Sequence, residues 1–520
     1  MALDSVKAFL RTGFGRLEAV LDRAFGSRLN PLVHLGSLGF FLYWIVAVSG
    51  IYLYIVFDTS VVDAYRSVQY LTVEQWYLGG ILRSLHRYAS DGMVLFMAVH
   101  ILREFALDRL RGARWFTWLT GAPILWLLYA SGITGYWLVW DKLAQYVAIV
   151  TSEILDWLPI FGDPIARNFL TPKSLDDRFF SLLVFMHIAV PLILLLVLWI
   201  HLQRLSRPET NPPKRLAAGM LAMLLALSYV MPATSQGPAD LATVPAVVGL
   251  DWFYLPLYPL LDLWSAGGVW LIFLAGSAFL MVLPWLPPLK AARPATIDLD
   301  NCNGCTRCVE DCPFNAVSMG PRGDGLPFAR QAVVDPDLCT RCGICVGACP
   351  TATPFRRASA LVPGIDLPDR SLARLRAAVE AAGARLTGPA RVLVLACDHG
   401  AASAALDACR ASAAAVALPC IAALPPSFID YVLSRGVADG VVLSACREGD
   451  CHARFGDRWM TARIDRERDP YLRARVPRER IRWVRALPVQ GAALAHAVDA
   501  FAAEIAAEPA AGATLDRRAG

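Results

Sequence analysis

Six apolar stretches, at about 32–57, 79–102, 115–140, 179–203, 215–232 and 266–286, crowd the first half of this 520-residue chain. Each is near the length a helix needs to cross a bilayer. We label them spans A to F. They account for the hydrophobic content of 56% and a mean hydropathy of +0.45, values too apolar for an ordinary soluble protein of this length. The preceding segment, "SVKAFLRTGFGRLEAVLDRAFGSRL", mixes basic and apolar residues at helical spacing and lacks a signal-peptide core, so it reads as an interfacial amphipathic helix. The net charge of +5 is small and no Lys/Arg run points to nucleic acid. Arginines and lysines gather in the B–C loop (Arg103, Arg109, Arg111, Arg114) and the D–E loop (Arg204, Arg207, Lys214, Arg215), which predicts that both chain ends are cytoplasmic.

Span B contains "HRYASDGMVLFMAVH" and span D contains "HIAVPLILLLVLWIH", so His86 and His100, like His187 and His201, stand fourteen residues apart. Fourteen residues is close to four helical turns, about 21 Å along the axis, and both rings leave the same face. B and D are expected to run in the same direction. His86 then lies at the depth of His187, and His100 at that of His201, forming two bis-imidazole sites stacked across the membrane. Imidazoles inside a bilayer are costly without partners, and metal ligation supplies one. His34 lies outside the pairs and reads as structural. Gly36 and Gly50 in span A, and Gly121 and Gly135 in span C, repeat the same spacing. Glycine lets a flat haem approach the backbone.

These pairs, Arg83 and Arg103 beside them, and "GYWLVW" followed by "QYVAIVTSEILDWLPIFGDPI" resemble the cytochrome b subunit of bc1 and b6f complexes, over about residues 1–290. The resemblance implies a low-potential haem on His86 and His187, a high-potential haem on His100 and His201, and haem propionates paired with Arg83 and Arg103. "GPADLATVPAVVGLDWFYLPLYPLL" is similar to the segment carrying that family's Pro-Glu-Trp-Tyr quinol motif, here Leu250, Asp251, Trp252 and Phe253. Asp251 would take the place of the glutamate that accepts a quinol proton, with Trp252 beside it. Its other reading is the N-cap of a short helix beginning near Trp252. Leu250, Phe253 and Val147 depart from the family pattern, which puts the outer quinone site in doubt.

All thirteen cysteines follow position 301. In a reducing compartment such thiols serve metals more often than disulfides. "CNGCTRCVEDCP" and "CTRCGICVGACP" both read C-x2-C-x2-C-x3-C-P, the two-cubane pattern in which each fourth cysteine crosses to the other cluster. One [4Fe-4S] would use Cys302, Cys305, Cys308 and Cys349, the other Cys339, Cys342, Cys345 and Cys312. Zinc is the competing reading, weakened by two complete four-cysteine runs, eight ligands in all.

Residues 356–385 read as a linker helix. "RVLVLAC" (391–397) and "GVVLSAC" (440–446) then read as buried strands of a small α/β domain, with Cys397, Cys420, Cys446 and Cys451 at strand ends and turns where they can converge. "ADGVVLSACREGDCHARFG" and "PCIAALPPSFIDYVLSRG" resemble the delta (iron–sulfur) subunit linking hydrogenases and formate dehydrogenases to heterodisulfide reductase. That resemblance implies a [2Fe-2S] cluster, although Gly400 stands where the family has a cysteine, and a cluster-free docking domain is the alternative. Cys409 falls on an expected helix and is not among the candidate ligands.

The expected architecture is therefore multi-domain: an all-α transmembrane haem bundle of six spans (1–290), an α+β ferredoxin-like domain (291–355), the linker helix (356–385) and a small α/β domain (386–520). The expected function is a membrane subunit of a quinone oxidoreductase in a bacterial or archaeal cytoplasmic membrane, within a hetero-oligomeric complex for which a dimer is one option. Electrons would pass between a cytoplasmic flavoprotein or dehydrogenase-type partner and quinone. The cofactors would lie in the order cysteine domain, cubanes, haems. Two alternatives stand: quinol oxidation with electron bifurcation to a Rieske or cytochrome c partner, and a non-catalytic redox sensor or assembly protein.

Overall fold

The computed structural model describes residues 2–160, 170–171, 175–286, 293–357, 361–401 and 411–507. A helical N-terminal half precedes a smaller α/β half. The first half contains α1 (Ala2–Phe25), α2 (Leu35–Val56), α3 (Ala64–Val73), α4 (Ile81–Ala106), α5 (Trp115–Val139), α6 (Lys142–Asp156), α7 (Asp177–Leu202), α8 (Lys214–Val230), α9 (Leu260–Leu263) and α10 (Ala266–Val282). Among the described residues, four helical stretches are long and apolar enough to cross a membrane: Leu35–Val56, Gly112–Val139, Asp177–Leu202 and Ala266–Trp285. The other two expected spans are also helices. However, α4 carries Arg83, Arg87, Asp91, Arg103 and Glu104, and α8 has only 17 residues.

The bundle is built from two intimate pairs, α2 with α4 and α5 with α7. Leu42, Leu85, Ala89, Met93, Ile124, Leu128 and Leu194 bury themselves where the pairs meet. The α1 helix exposes Val6, Phe9, Leu17 and Val20 and holds the rest of the chain with its other residues. Its Glu18 reaches Arg103 of α4, and its Gly15 touches Val489 of the C-terminal domain.

The soluble half begins with two small antiparallel sheets. In one, β1 (Thr296–Ile297) pairs with β4 (Ile365–Asp366); in the other, β2 (Val317–Pro321) pairs with β3 (Arg330–Val334). Between them sit the five-residue helices α11 (Arg307–Asp311) and α12 (Ile344–Ala348). Because β4 closes the sheet begun by β1, this unit extends beyond the expected boundary at 355. The expected linker helix is also different. α13 (Leu372–Ala384) buries Leu372, Val379 and Ala382 in the core of the soluble half.

The last domain is a four-stranded parallel sheet in the order β6 (Ala413–Leu418), β5 (Val392–Cys397), β7 (Gly440–Ala445), β8 (Ile481–Arg485). The fully buried β5 is apolar throughout and β7 is apolar but for Ser444, as expected of central parallel strands. Helices α14 (Ser427–Ser434), α15 (Gly456–Ile464) and α16 (Gly491–Ala507) cover the sheet. One continuous core runs from Val317 and Ile344 through Leu393 and Leu443 to Met460, so the dicluster unit and the parallel sheet are not separate bodies. Arg463, 0% exposed, fastens the joint by donating to Ala422 O, Asp311 Oδ2 and Ile344 O.

Candidate electron-transfer sites

The four histidines leave α4 and α7 toward the gap between the helix pairs. The His86 and His187 ring centroids lie 6.3 Å apart. Two metal–nitrogen bonds of about 2 Å each, plus the two ring radii, account for that gap. Ser49 Oγ and Val46 O lie 3.1 and 3.0 Å from His86 Nδ1, and Thr134 Oγ1 and Ser131 O lie 3.1 and 3.0 Å from His187 Nδ1. Thr120 Oγ1 lies 3.1 Å from His201 Nδ1. A carbonyl only accepts, and each hydroxyl donates its own proton to a helix carbonyl: Ser49 to Ile45, Thr134 to Ser131, Thr120 to Phe116. The proton of these imidazoles therefore sits on Nδ1, and Nε2 keeps a lone pair for a metal.

Each of the four glycines faces one of these rings. A Cβ at Gly50 would meet His86 Cε1 at 3.0 Å, at Gly135 His187 Cε1 at 2.9 Å, at Gly121 His201 Cε1 at 3.2 Å, and at Gly36 His100 Cε1 at 3.7 Å. Among the described side chains, the glycine period thus makes room for the imidazoles themselves. Sequence reasoning missed the hydroxyls, although Ser49, Thr120 and Thr134 each immediately precede a period glycine. A glycine behind each ring, with the Nδ1 atoms of His86, His187 and His201 anchored and their Nε2 atoms left with a lone pair, fits bis-imidazole haem ligation. His34 Nε2 lies 2.9 Å from Arg28 O and belongs to the turn before α2.

The arginines are placed differently from one another. Arg83 donates to Thr72 and, at 2.8 Å, to Ser235 Oγ. Arg103, 2% exposed, is held by Glu18 (2.8 Å) and Asp450 (2.5 Å), so protein carboxylates occupy it where the resemblance implied a propionate.

Asp251 uses both oxygens. Oδ1 accepts from the backbone N–H groups of Phe253 (2.9 Å) and Tyr254 (3.1 Å), while Oδ2 accepts from Tyr136 (2.5 Å) and pairs with Arg87. The capped segment is a run of turns rather than a helix starting near Trp252; the helix comes only at Leu260–Leu263. Trp252 is 70% exposed. Val147 is fully buried, and the Tyr254 hydroxyl fills the space over Gly132.

In the dicluster unit, Cys302, Cys305, Cys308 and Cys349 line one cavity with Met319, Ala332 and Ile365. Cys312, Cys339, Cys342 and Cys345 line a second with Phe314, Ile344 and Leu367. The crossover follows from helix length. Each five-residue helix carries its third cysteine inside (Cys308, Cys345) and its fourth at the C-cap (Cys312, Cys349), one helix length away and facing the other cavity. Among the described residues no three His, Cys, Asp or Glu side chains close around a single ion. The thiols surround a space, as a cubane requires. Burial pushes the Cys308 and Cys342 thiols up to about 12, so a metal held there would have to displace their protons.

In the parallel sheet, Cys420, Cys397 and Cys446 follow the carboxyl ends of β6, β5 and β7, three adjacent strands, and Cys451 lies on the loop after β7. The carboxyl edge of a parallel sheet is where such folds place their ligands. Cys397 Sγ and Cys446 Sγ are 3.7 Å apart, and Cys420 and Cys451 converge over Gly456, where a Cβ would meet their sulfurs at 2.1 and 3.2 Å. All four are buried. At Gly400 a Cβ would stand 2.9 Å from Ala445 O, so the chain leaves little space there for the family's cysteine. Cys409 lies outside the described residues. The His399 and His452 rings stack at 3.5 Å and 9° beside this ring of thiols. Their neighbouring cysteines, in Cys397-x-His399 and Cys451-His452, were the available signal.

Comparison with known proteins follows the same three-part division. Residues 20–208 match the family model for cytochrome b/b6/petB, residues 301–353 that of the 4Fe-4S dicluster domain, and residues 391–507 that of the methyl-viologen-reducing hydrogenase delta subunit. Among solved structures, a chain titled "Hyperthermophilic respiratory Complex III" aligns with 22% identity and a TM-score of 0.41, covering 50% of this chain and 77% of that one. Haem and iron–sulfur clusters are the cofactors that go with the first two families. In succession, then, this chain is similar to cytochrome b, to a dicluster 4Fe-4S protein and to a hydrogenase delta subunit, and its parts are those of a membrane electron-transfer protein.

Proposed function

We propose that this chain is the membrane electron-transfer subunit of a quinone-linked oxidoreductase, carrying electrons between a cytoplasmic redox partner and the quinone pool. The observation that supports this most is the histidine bracket: paired imidazoles with anchored Nδ1 atoms and glycines behind them, set in the same chain as two cavities of four thiols. When bound, haem and iron–sulfur clusters exchange single electrons, and the protein's part is to hold and tune them. His86 with His187 and His100 with His201 present Nε2 lone pairs to two haem irons. The eight cysteines of the dicluster unit present thiolates to two [4Fe-4S] clusters, and Cys397, Cys420, Cys446 and Cys451 to a [2Fe-2S] cluster. The basic loops face the cytoplasm with both chain ends, and the chain works within a hetero-oligomeric complex.

A second reading, quinol oxidation at the outer end with a Rieske or cytochrome c partner, draws on the Arg87–Asp251–Tyr136 cluster beside His86. Against it, both oxygens of Asp251 are already engaged and Trp252 is exposed. A general base must reach the proton it abstracts. Asp251→Asn separates the two: quinone reduction driven from the soluble side persists under the first reading, and quinol oxidation collapses under the second. Purified protein in detergent, assayed with a short-chain quinone and by reduced-minus-oxidised spectra, provides both readouts. Absence of b-type haem absorbance sinks the proposal whichever direction electrons take.

A further inference from the structure

The chain order places the C-terminal domain beyond the cubanes, yet its cysteine loop lies directly against the helical half. Asp450, next to Cys451, accepts from Arg103 at 2.5 Å and from Arg109 at 2.8 Å. Arg109 in turn stands 3.5 Å from Glu104, one helical turn past His100 and within electrostatic reach of it. Arg447, next to Cys446, pairs with Glu18 and Asp22 of α1, and Arg114 donates to His452 O. All of these contacts lie at the His100 end of α4. From ligand to ligand the route is short: His100, Glu104, Arg109, Asp450, Cys451.

The dicluster unit has its own contact with the same end of the bundle, through the other helix. Ser206, five residues past His201, donates its hydroxyl to Cys312 O (3.0 Å) and its N–H to Pro313 O (3.2 Å). Arg454 seals this seam by donating to Ser206 O (2.6 Å) and Pro313 O (2.8 Å). Arg114 lies over the Phe314 ring at 5.3 Å and within electrostatic reach of both Cys342 and Cys451, so the two seams are neighbours.

We infer that the thiol ring of Cys397, Cys420, Cys446 and Cys451 has its own electron-transfer contact with the His100–His201 bracket, parallel to the Cys312–Cys339–Cys342–Cys345 set and not behind it. Asp450 is the positioning residue of that contact. Two buried arginines fix its carboxylate, and the peptide bond to Cys451 passes that constraint to the ring. The inference rests on the function proposed above. It differs in making the soluble half a fork whose two arms meet the bundle at separate helices, α4 and α7. Each transfer moves one electron from a reduced cluster to the oxidised haem, with no bond made or broken.

The test uses the full chain in nanodiscs and pulsed electron paramagnetic resonance of the reduced clusters with the haems kept oxidised. We expect the ring cluster, identified by loss of its signal in Cys420→Ser, to relax faster when the haem is ferric. That acceleration should disappear in His100→Ala. It should weaken in Asp450→Asn, where the cubane of Cys312 keeps its own, and return in Asp450→Glu. Ser206→Ala should do the converse. A ring signal indifferent to the oxidation state of the haem overturns the inference, as does the absence of any signal that depends on Cys420. The wild-type measurement needs no substitution to fold. Failure of the underlying function would look different, as absence of a low-spin bis-imidazole haem signal.

Discussion

The helical half and the soluble half gather their donors by opposite means. In the bundle, two ligands share one helix face four turns apart, and the partner of each arrives from a helix about a hundred residues away; order comes from a shared spacing of fourteen. In the dicluster unit, three of four thiols come from one seven-residue run, and only the fourth crosses. The bundle therefore depends on helix registration, and the soluble half on one continuous core. A slip of one residue along α7 would turn both of its imidazoles about 100° from the gap, whereas the short loops around the cubanes have no register to lose.

That contrast can be broken first at the ligands. His187→Ala should abolish one of two b-haem signals in reduced-minus-oxidised spectra and leave the His100–His201 signal in place, because the two levels share no ligand. Retention of both signals would defeat the bracket as described.

Next comes registration. Gly135→Ala places a methyl 2.9 Å from the His187 ring and should strip or distort the haem of the His86–His187 level, read as loss or broadening of that band. Gly36→Ala, with 3.7 Å to His100, should leave the spectrum unchanged. Equal effects would show that glycine spacing has nothing to do with the imidazoles.

The continuous core is probed at its fastener. Arg463→Ala leaves Asp311 buried with one arginine fewer, and removing one partner of a buried pair costs about 3–5 kcal/mol. Calorimetry should show the dicluster unit and the parallel sheet destabilised together. If only the parallel sheet responds, the two units do not share a core in solution.

The finest effect belongs to the hydroxyls. Thr134→Val removes one acceptor from His187 Nδ1 and keeps Ser131 O, a loss on the order of 1 kcal/mol. A redox titration should move the midpoint of the His86–His187 haem slightly and leave the other unchanged.

Reading the chain alone went furthest where chemistry is local or periodic. The two histidine pairs, the matched glycines, the crossed cysteine sets and the strands ending at Cys397 and Cys446 are all visible as spacings. What stayed hidden has its partner far along the chain. The family resemblance assigns Arg103 to a haem propionate, and the carboxylates that hold it are both distant in sequence: Glu18 lies 85 residues back and Asp450 347 residues on. The basic loops look like an orientation signal, and the structure gives several of those arginines a second task, binding the C-terminal domain. Residues 356–385 read as a linker helix because they are rich in Arg, Ala and Leu at helical spacing, yet Leu372, Val379 and Ala382 join the core.

The fastening of Asp311 by Arg463 and Arg468 carries a consequence for how the protein is made. Asp311 sits immediately before Cys312, and its cationic partners are synthesised about 150 residues later. While the ribosome is still extending the chain, the cubane segment has all eight thiols but lacks the wall that neutralises this carboxylate and packs behind α11. Iron delivered at that stage would meet an unfinished vessel. Cluster assembly at these thiols would thereby be tied to completion of the last domain, and a truncated translation product would be a poor recipient.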